Sequence, residues 1–173
     1  MTIQIRGVYP LIRLAAALAL MTIGCSAMWA GPIVLEPIAN EFNTGRGNSS
    51  LIYGTFMIGF AFGGVFMGRL ADRMGIMIPA LIGSIALPAG FYLAAHASSI
   101  LEIYLAFSLL CGFLGSSFSM APLIADISHW FDRRRGLAVG IAFCGSYIAG
   151  AIWPPIFQRM FDDQGWRESF IDL

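Results

Sequence analysis

The chain has no lysine, two histidines and three cysteines among its 173 residues, and charged residues make up only 12% of it. Each shortage excludes something. A soluble domain of this length carries about twice that charged fraction, so there is too little polar side chain here to clothe a surface facing water. His96 and His129 stand at opposite ends of apolar stretches and cannot share one metal ion. Cys25, Cys111 and Cys144 lie inside apolar stretches with neither paired spacing nor neighbouring histidines. They read as small packing residues, not as a disulfide, zinc or redox site. HExxH, GxSxG and a phosphate-cradling glycine loop are missing, so an enzyme reading has no catalytic residues, metal or cofactor to stand on. The arginines are dispersed at the edges of apolar runs, which gives no case for nucleic-acid binding.

What is present is apolar. Hydrophobic residues fill 58% of the chain, and nearly uncharged runs occupy Leu14–Leu35, Gly47–Gly68, Met74–Ala95, Ile103–Ala125 and Gly136–Gln158. A helix needs roughly 20 apolar residues to cross a ~30 Å hydrocarbon core. Five runs of that length predict an all-α integral membrane bundle, with helices over about 11–35, 48–69, 75–96, 101–127 and 135–158. Buried helices of a soluble bundle would need polar outer faces that these runs lack. Arg6 and Arg13 followed by "LAAALALMTIGCSAMWA" resemble a signal peptide, with Cys25 in a loosely lipoprotein-like place. The apolar run continues to Leu35 and position 22 is Thr, so the segment is expected to be a retained first span.

Orientation rests on arginine alone. With the N-terminus in the cytoplasm, Arg6, Arg13, Arg69, Arg73, Arg133, Arg134 and Arg135 fall inside, and Arg46, Arg159 and Arg167 outside. That obeys the positive-inside rule and suits an inner (plasma) membrane of bacterial type, with Arg133–Arg135 anchored near anionic lipid. Two stripes of small residues promise close helix contacts: Ala138, Ala142, Gly145 and Ala149 in the fifth span, and Gly54, Ala61, Gly64 and Gly68 in the second. They pack either within this chain or against helices outside it. Pro154 and Pro155 are expected to bend or end the fifth helix. At 100° per residue, Gly112, Gly115, Ser116, Ser119 and Asp126 share one face of the fourth span. That stripe either lines a watery path or consists of serines bonded back to carbonyls one turn earlier.

The link between spans two and three, "GRLADRMG" at residues 68–75, resembles the signature of the major facilitator superfamily. Gly68, Leu70, Ala71, Asp72, Arg73 and Gly75 match it, while Ile76 and Met77 stand where a basic pair usually follows. Residues 130–167 are similar to the fifth-helix region of the monocarboxylate and oxalate–formate branch. The matching pieces are Trp130-Phe131, Arg134-Arg135-Gly136-Leu137-Ala138, Gly140, Gly145, Pro154-Pro155 and Gly165-Trp166-Arg167. "PIANEF", residues 37–42, resembles the sequence that follows the first helix in these transporters.

The resemblance implies the N-terminal half of a twelve-span transporter, incomplete over residues 1–173, with five spans and the start of a sixth at "GWRESFIDL". It implies that Asp72 caps a helix of the other half within a cytoplasmic gate network of Gly68, Arg69, Asp72, Arg73, Gly75, Asp126, Arg134 and Arg135. With Ile76 replacing the usual arginine, Asp126 is expected to pair with Arg73 or Arg69. The alternative is a solvated link that merely sets topology. Trp29, Tyr53, Ser116, Phe143 and Tyr147 are substrate-path candidates. No basic residue lies between Leu14 and Leu35 to meet an anionic substrate, so a counter-charge is expected in the missing part. The implied function is secondary transport of a small organic solute, a carboxylate, with a coupled proton. Its partners are membrane lipid and the missing C-terminal half or partner helices. The competing reading is a truncated membrane protein that packs with a partner and transports nothing. A membrane enzyme would need an undetected catalytic pair.

Overall fold

Inside a bilayer no water is available to backbone N–H and C=O groups, so an apolar run satisfies them within itself by coiling into a helix. The computed structural model describes residues 9–43, 46–131 and 134–173. Its elements in chain order are α1 (Tyr9–Gly24), α2 (Ser26–Glu41), α3 (Arg46–Met74), α4 (Met77–Ala95) and α5 (Ile100–Leu105). A π-helical stretch (Ala106–Ser116) and a 3₁₀ turn (Ser117–Ser119) follow, then α6 (Ala121–Trp130), α7 (Arg135–Gln164) and α8 (Trp166–Ile171). Five segments are long and apolar enough to cross a membrane: Tyr9–Glu41, Ser50–Met74, Met77–Ala95, Ile100–Trp130 and Arg135–Gln164. No strand occurs among the described residues. Arg6 and Arg133, expected at the cytoplasmic face, lie outside the described residues, as does the side chain of Arg46.

Three segments depart from straight α-helices or from expectation. The first span is interrupted by a turn at Cys25, and its second part carries Pro32 and Pro37 inside the helix. The "PIANE" segment therefore continues the first span instead of following it. The fourth span widens to i→i+5 pairing over eleven residues, tightens at Ser117–Ser119, and restarts as α6 with Pro122 in its first turn. The fifth runs on through Pro154 and Pro155 to Gln164, so the prolines do not end it. Gly165 ends it, at φ 85°, a conformation that glycine adopts without steric cost.

Glycine decides how closely the spans meet. A Cβ at Gly59 would collide with the carbonyl oxygen of Ser108, and one at Gly63 with that of Phe113; Gly112 returns the contact against the Phe56 carbonyl. On the other side of the π stretch, Gly90 lies against Cys111 and Gly83 against Phe118 of the 3₁₀ turn. The small stripe of the fifth span meets this chain's own first span. Ala138, Ala142, Gly145 and Ala149 are buried, and Gly145 sits on the Leu18 carbonyl. The stripe of the second span does not: Gly54, Gly64 and Gly68 face open space and Ala61 is exposed.

Two apolar cores result. One joins α1, the end of α3, α6 and the start of α7 through Met21, Met67, Ile127 and Ala142. The other lies toward Arg167, where Phe91, Phe107, Phe157, Phe161 and Phe170 stack on one another with centroids 4.9–6.3 Å apart.

The glycine seam gives a paired prediction. Gly63→Leu forces bulk against the Phe113 backbone and costs about 1–3 kcal/mol, whereas Gly64→Leu, one position on, enters open space. Thermal unfolding in detergent is expected to show a lowered midpoint for the first and none for the second.

Candidate functional site

The chain's charged groups gather at the two ends of the bundle. At the end that holds the start of α1, the last turn of α3 carries Asp72 and Arg73, and Gly75 closes the helix at φ 81° with its N–H donated to the Ala71 carbonyl at 2.8 Å. That local geometry treats the two charges differently. An arginine in the last turn complements the negative end of the helix dipole, while a carboxylate there opposes it. Asp72 is exposed and no described residue pairs with it. Its placement adds nothing to the stability of its own helix.

Across from this link stands α6. Between them is a recess of about 370 Å³ lined by Gly68, Asp72, Gly75, Pro122, Asp126 and His129, among others. Asp126 is held by Arg13. The Arg13 Nε donates to Oδ2 at 3.1 Å and Nη2 to Oδ1 at 2.9 Å, with the side chains 26% and 20% exposed. The same guanidinium lies over the Trp130 ring at 4.5 Å, and Tyr9 meets that ring edge-on at 5.3 Å. The expectation that Arg73 or Arg69 partners Asp126 is thus corrected. Both are exposed on α3 and no described residue pairs with either. The reason is where the spans cross. Gly24 and Cys25 abut Ser119, with the thiol 3.6 Å from the serine oxygen, so α1 and α6 run alongside each other from that crossing to the end of the bundle. Arg135 donates to the Ser128 hydroxyl at 3.1 Å, and Arg134 is exposed at the start of α7.

The fourth-span stripe is not one face. Widened pairing turns each residue through a smaller angle than an α-helix does. Gly112 meets α3, Gly115 meets Leu87 of α4, Ser119 meets α1, and Asp126 meets Arg13. Ser117 and Ser119 bond back to the carbonyls of Phe113 and Ser116 at 2.5 and 2.6 Å, the bland alternative for such serines.

The five substrate-path candidates stand on α2, α3, the π-helical stretch and α7. Ser116 is sealed inside the bundle, its hydroxyl without a partner among the described residues. Trp29 lays its ring on Gly150, and its indole nitrogen is also without a partner there. Tyr53 is half-buried against Gly31 and stacked on Phe56 at 6.2 Å. Phe143 is half-buried on α7 and touches Tyr147 at 5.8 Å, while Tyr147 is 69% exposed.

The other end holds a cluster that residue spacing did not suggest. Arg167 donates from Nε to Glu41 Oε1 at 2.8 Å, from Nη2 to the Ala97 carbonyl at 2.9 Å, and from Nη1 to the Ala95 carbonyl. The Trp166 indole donates to Glu41 Oε2 at 2.8 Å, and Arg167 lies 4.6 Å over that ring. One arginine thereby ties together the end of α2, the last residue of α4 with the turn that follows it, and the start of α8. Gly165-Trp166-Arg167 and Glu41 were all visible within family-like motifs. Their pairing across 126 positions was not.

The Major Facilitator Superfamily model matches residues 16–172. The chain belongs to that superfamily. It is an integral membrane protein by family and by its five apolar helices. Among curated relatives it is 36% identical to human monocarboxylate transporter 11 over 104 residues, 60% of this chain and 22% of the relative. Mouse monocarboxylate transporter 2 is 29% identical over 141 residues, 82% of this chain and 29% of the relative. The MFS-type transporter pytF of Aspergillus terreus is 36% identical over 99 residues, 57% of this chain and 33% of the relative. The chain therefore resembles the monocarboxylate branch of the superfamily and spans between a fifth and a third of the length of these relatives.

The Arg13–Asp126 pair makes a testable claim about this superfamily member. Arg13→Gln leaves a half-buried carboxylate without its charged donor and is expected to cost about 1–3 kcal/mol. Asp126→Asn, which keeps acceptor oxygen, costs less. The exchange Arg13→Asp with Asp126→Arg restores part of the loss, read as the thermal midpoint in detergent.

Proposed function

We propose that the chain is the larger part of the N-terminal half of a secondary transporter, with Trp166–Ile171 beginning a sixth span. It carries a small organic solute, a carboxylate, through a plasma (in bacteria, inner) membrane with a coupled proton, and its N-terminus lies in the cytoplasm. The observation that carries this reading is Asp72. The carboxylate stands at the wrong end of its own helix dipole, unpaired among the described residues, on the rim of an open recess. Directly beside it runs the uncovered small face of α3, Gly54, Ala61, Gly64 and Gly68.

A transporter of this architecture works by rocking two halves about a central solute site. The small face admits a helix of the second half at close range, and Asp72 accepts from that helix's free N-terminal N–H groups, a favourable end for a carboxylate. The contact forms when the cytoplasmic side closes and breaks when it opens. The pairing of Asp126 with Arg13 keeps the second carboxylate of the recess from competing for the same donors. The names of the relatives support a monocarboxylate as cargo, and the counter-charge for it belongs to the second half.

The test uses the complete open reading frame that contains these codons, reconstituted in liposomes with a pH gradient. Uptake of labelled monocarboxylates is expected, and Asp72→Asn is expected to lower the rate by up to about tenfold, as for a helix-end coupling of up to about 1.4 kcal/mol. No uptake would favour a protein that packs through its small faces without transporting. Equal uptake by residues 1–173 alone would remove the need for a second half.

A further inference from the structure

At the Arg167 end, between α4 and the start of the fourth span, an open groove of about 460 Å³ is lined by Leu93, His96, Glu102, Leu105, Leu109 and Leu110, with Ala106 on its floor. We propose that this groove holds one acyl chain of a phospholipid whose headgroup carries an ammonium, seated on Glu102. The arrangement is amphipathic along its length. His96 and Glu102 stand where the two helices meet the end of the bundle, and the leucines follow inward for about 10 Å at the rise of a helix.

The lining distinguishes an acyl chain from a helix. Helices approach one another in membranes through small residues, and this chain exposes such residues on α3 and α7, where Gly54, Gly64, Gly136 and Gly140 face open space. The groove presents leucines instead: Leu93, Leu105 and Leu109 are each about half exposed at its sides. A flexible hydrocarbon fills the gaps between such branched side chains, whereas a helix backbone is held away from them.

The rim selects the headgroup. Glu102 accepts from the Ser98 N–H at 2.8 Å and from the Ser98 hydroxyl at 3.2 Å, and its own N–H donates to the Ser99 hydroxyl at 3.4 Å, which fixes the carboxylate at the helix start. Those contacts leave acceptor capacity on both oxygens. His96 Nδ1 lies 2.9 Å from the Tyr92 carbonyl, which can only accept, so that nitrogen carries a proton, and in the neutral imidazole Nε2 is an acceptor. Two acceptors at the mouth suit an ammonium and oppose a headgroup of net negative charge. Among the described residues, Arg167 of this end is committed to Glu41 and to two carbonyls.

The experiment places the purified chain in nanodiscs of equal dioleoyl phosphatidylethanolamine and dioleoyl phosphatidylglycerol, and reads retained lipid by native mass spectrometry. One phosphatidylethanolamine per chain is expected, favoured about threefold or more over phosphatidylglycerol, as for an exposed ion pair. Glu102→Gln keeps the helix cap and is expected to bring the two lipids to parity without moving the thermal midpoint. Leu109→Trp fills the groove and is expected to lower retention of both. Equal retention by the native chain, a preference unchanged by Glu102→Gln, or retention that survives Leu109→Trp would overturn the proposal. So would a dimer mass that Leu109→Trp abolishes, since a second copy would then be the occupant.

Discussion

Everything in this bundle depends on backbone meeting backbone where lipid offers no apolar driving force for helix association. The decisive instance is the seam between α3 and the π-helical stretch. Gly59 faces the Ser108 carbonyl and Gly63 faces that of Phe113. Four residues along one strand of the seam thus match five along the other, one turn of an α-helix against one turn of a π-helix. The seam holds only because the fourth span is widened there, and the widening rotates everything that follows. Ser119 is brought to the crossing with Gly24 and Cys25, and Asp126 to the side of Arg13. The recess beside Asp72 takes its second wall from the same rotation.

Much of this was readable from residues, and the failures have physical causes. Five spans follow from five uncharged runs of membrane length, because the bilayer allows almost no other outcome for such runs. The fifth-span stripe was readable because α7 keeps an undisturbed 3.6-residue period through Ala138, Ala142, Gly145 and Ala149. The working glycines of α3 were not. Glycines at 54, 59, 63, 64 and 68 fall on several faces of one helix, and which of them makes contact is decided by a partner with a different period. The assumption of 100° per residue through the fourth span failed for the same reason. Arg13 looked like a topology anchor, since its carboxylate lies 113 positions away and no local pattern links the two.

The two ends of the bundle reach the same solution by different residues. Each has an arginine bound to a carboxylate and laid on a tryptophan face: Arg13 with Asp126 and Trp130, Arg167 with Glu41 and Trp166. A guanidinium suits this position because its planar fork bonds in its plane and stacks across it. Both clusters occur where apolar helix gives way to polar surroundings, the depth at which tryptophan rings and long cationic side chains are both at home. Arg167 does more than Arg13, since it also takes up the carbonyl of Ala95, at the last residue of α4, and that of Ala97 just beyond the helix.

These two clusters share one element. Arg13 stands near the beginning of the first span and Glu41 at its close; between them the helix is broken by a turn at Cys25, and Pro32 and Pro37 each leave one ladder hydrogen bond unmade. A rod fastened at both tips cannot act as a piston: advancing it by a single residue, about 1.5 Å, strains both ion pairs together. With both tips fixed, the one displacement of the elbow at Cys25 that keeps their separation is a swing about the line joining the two ion pairs, and Ser119 of the fourth span packs against the elbow there.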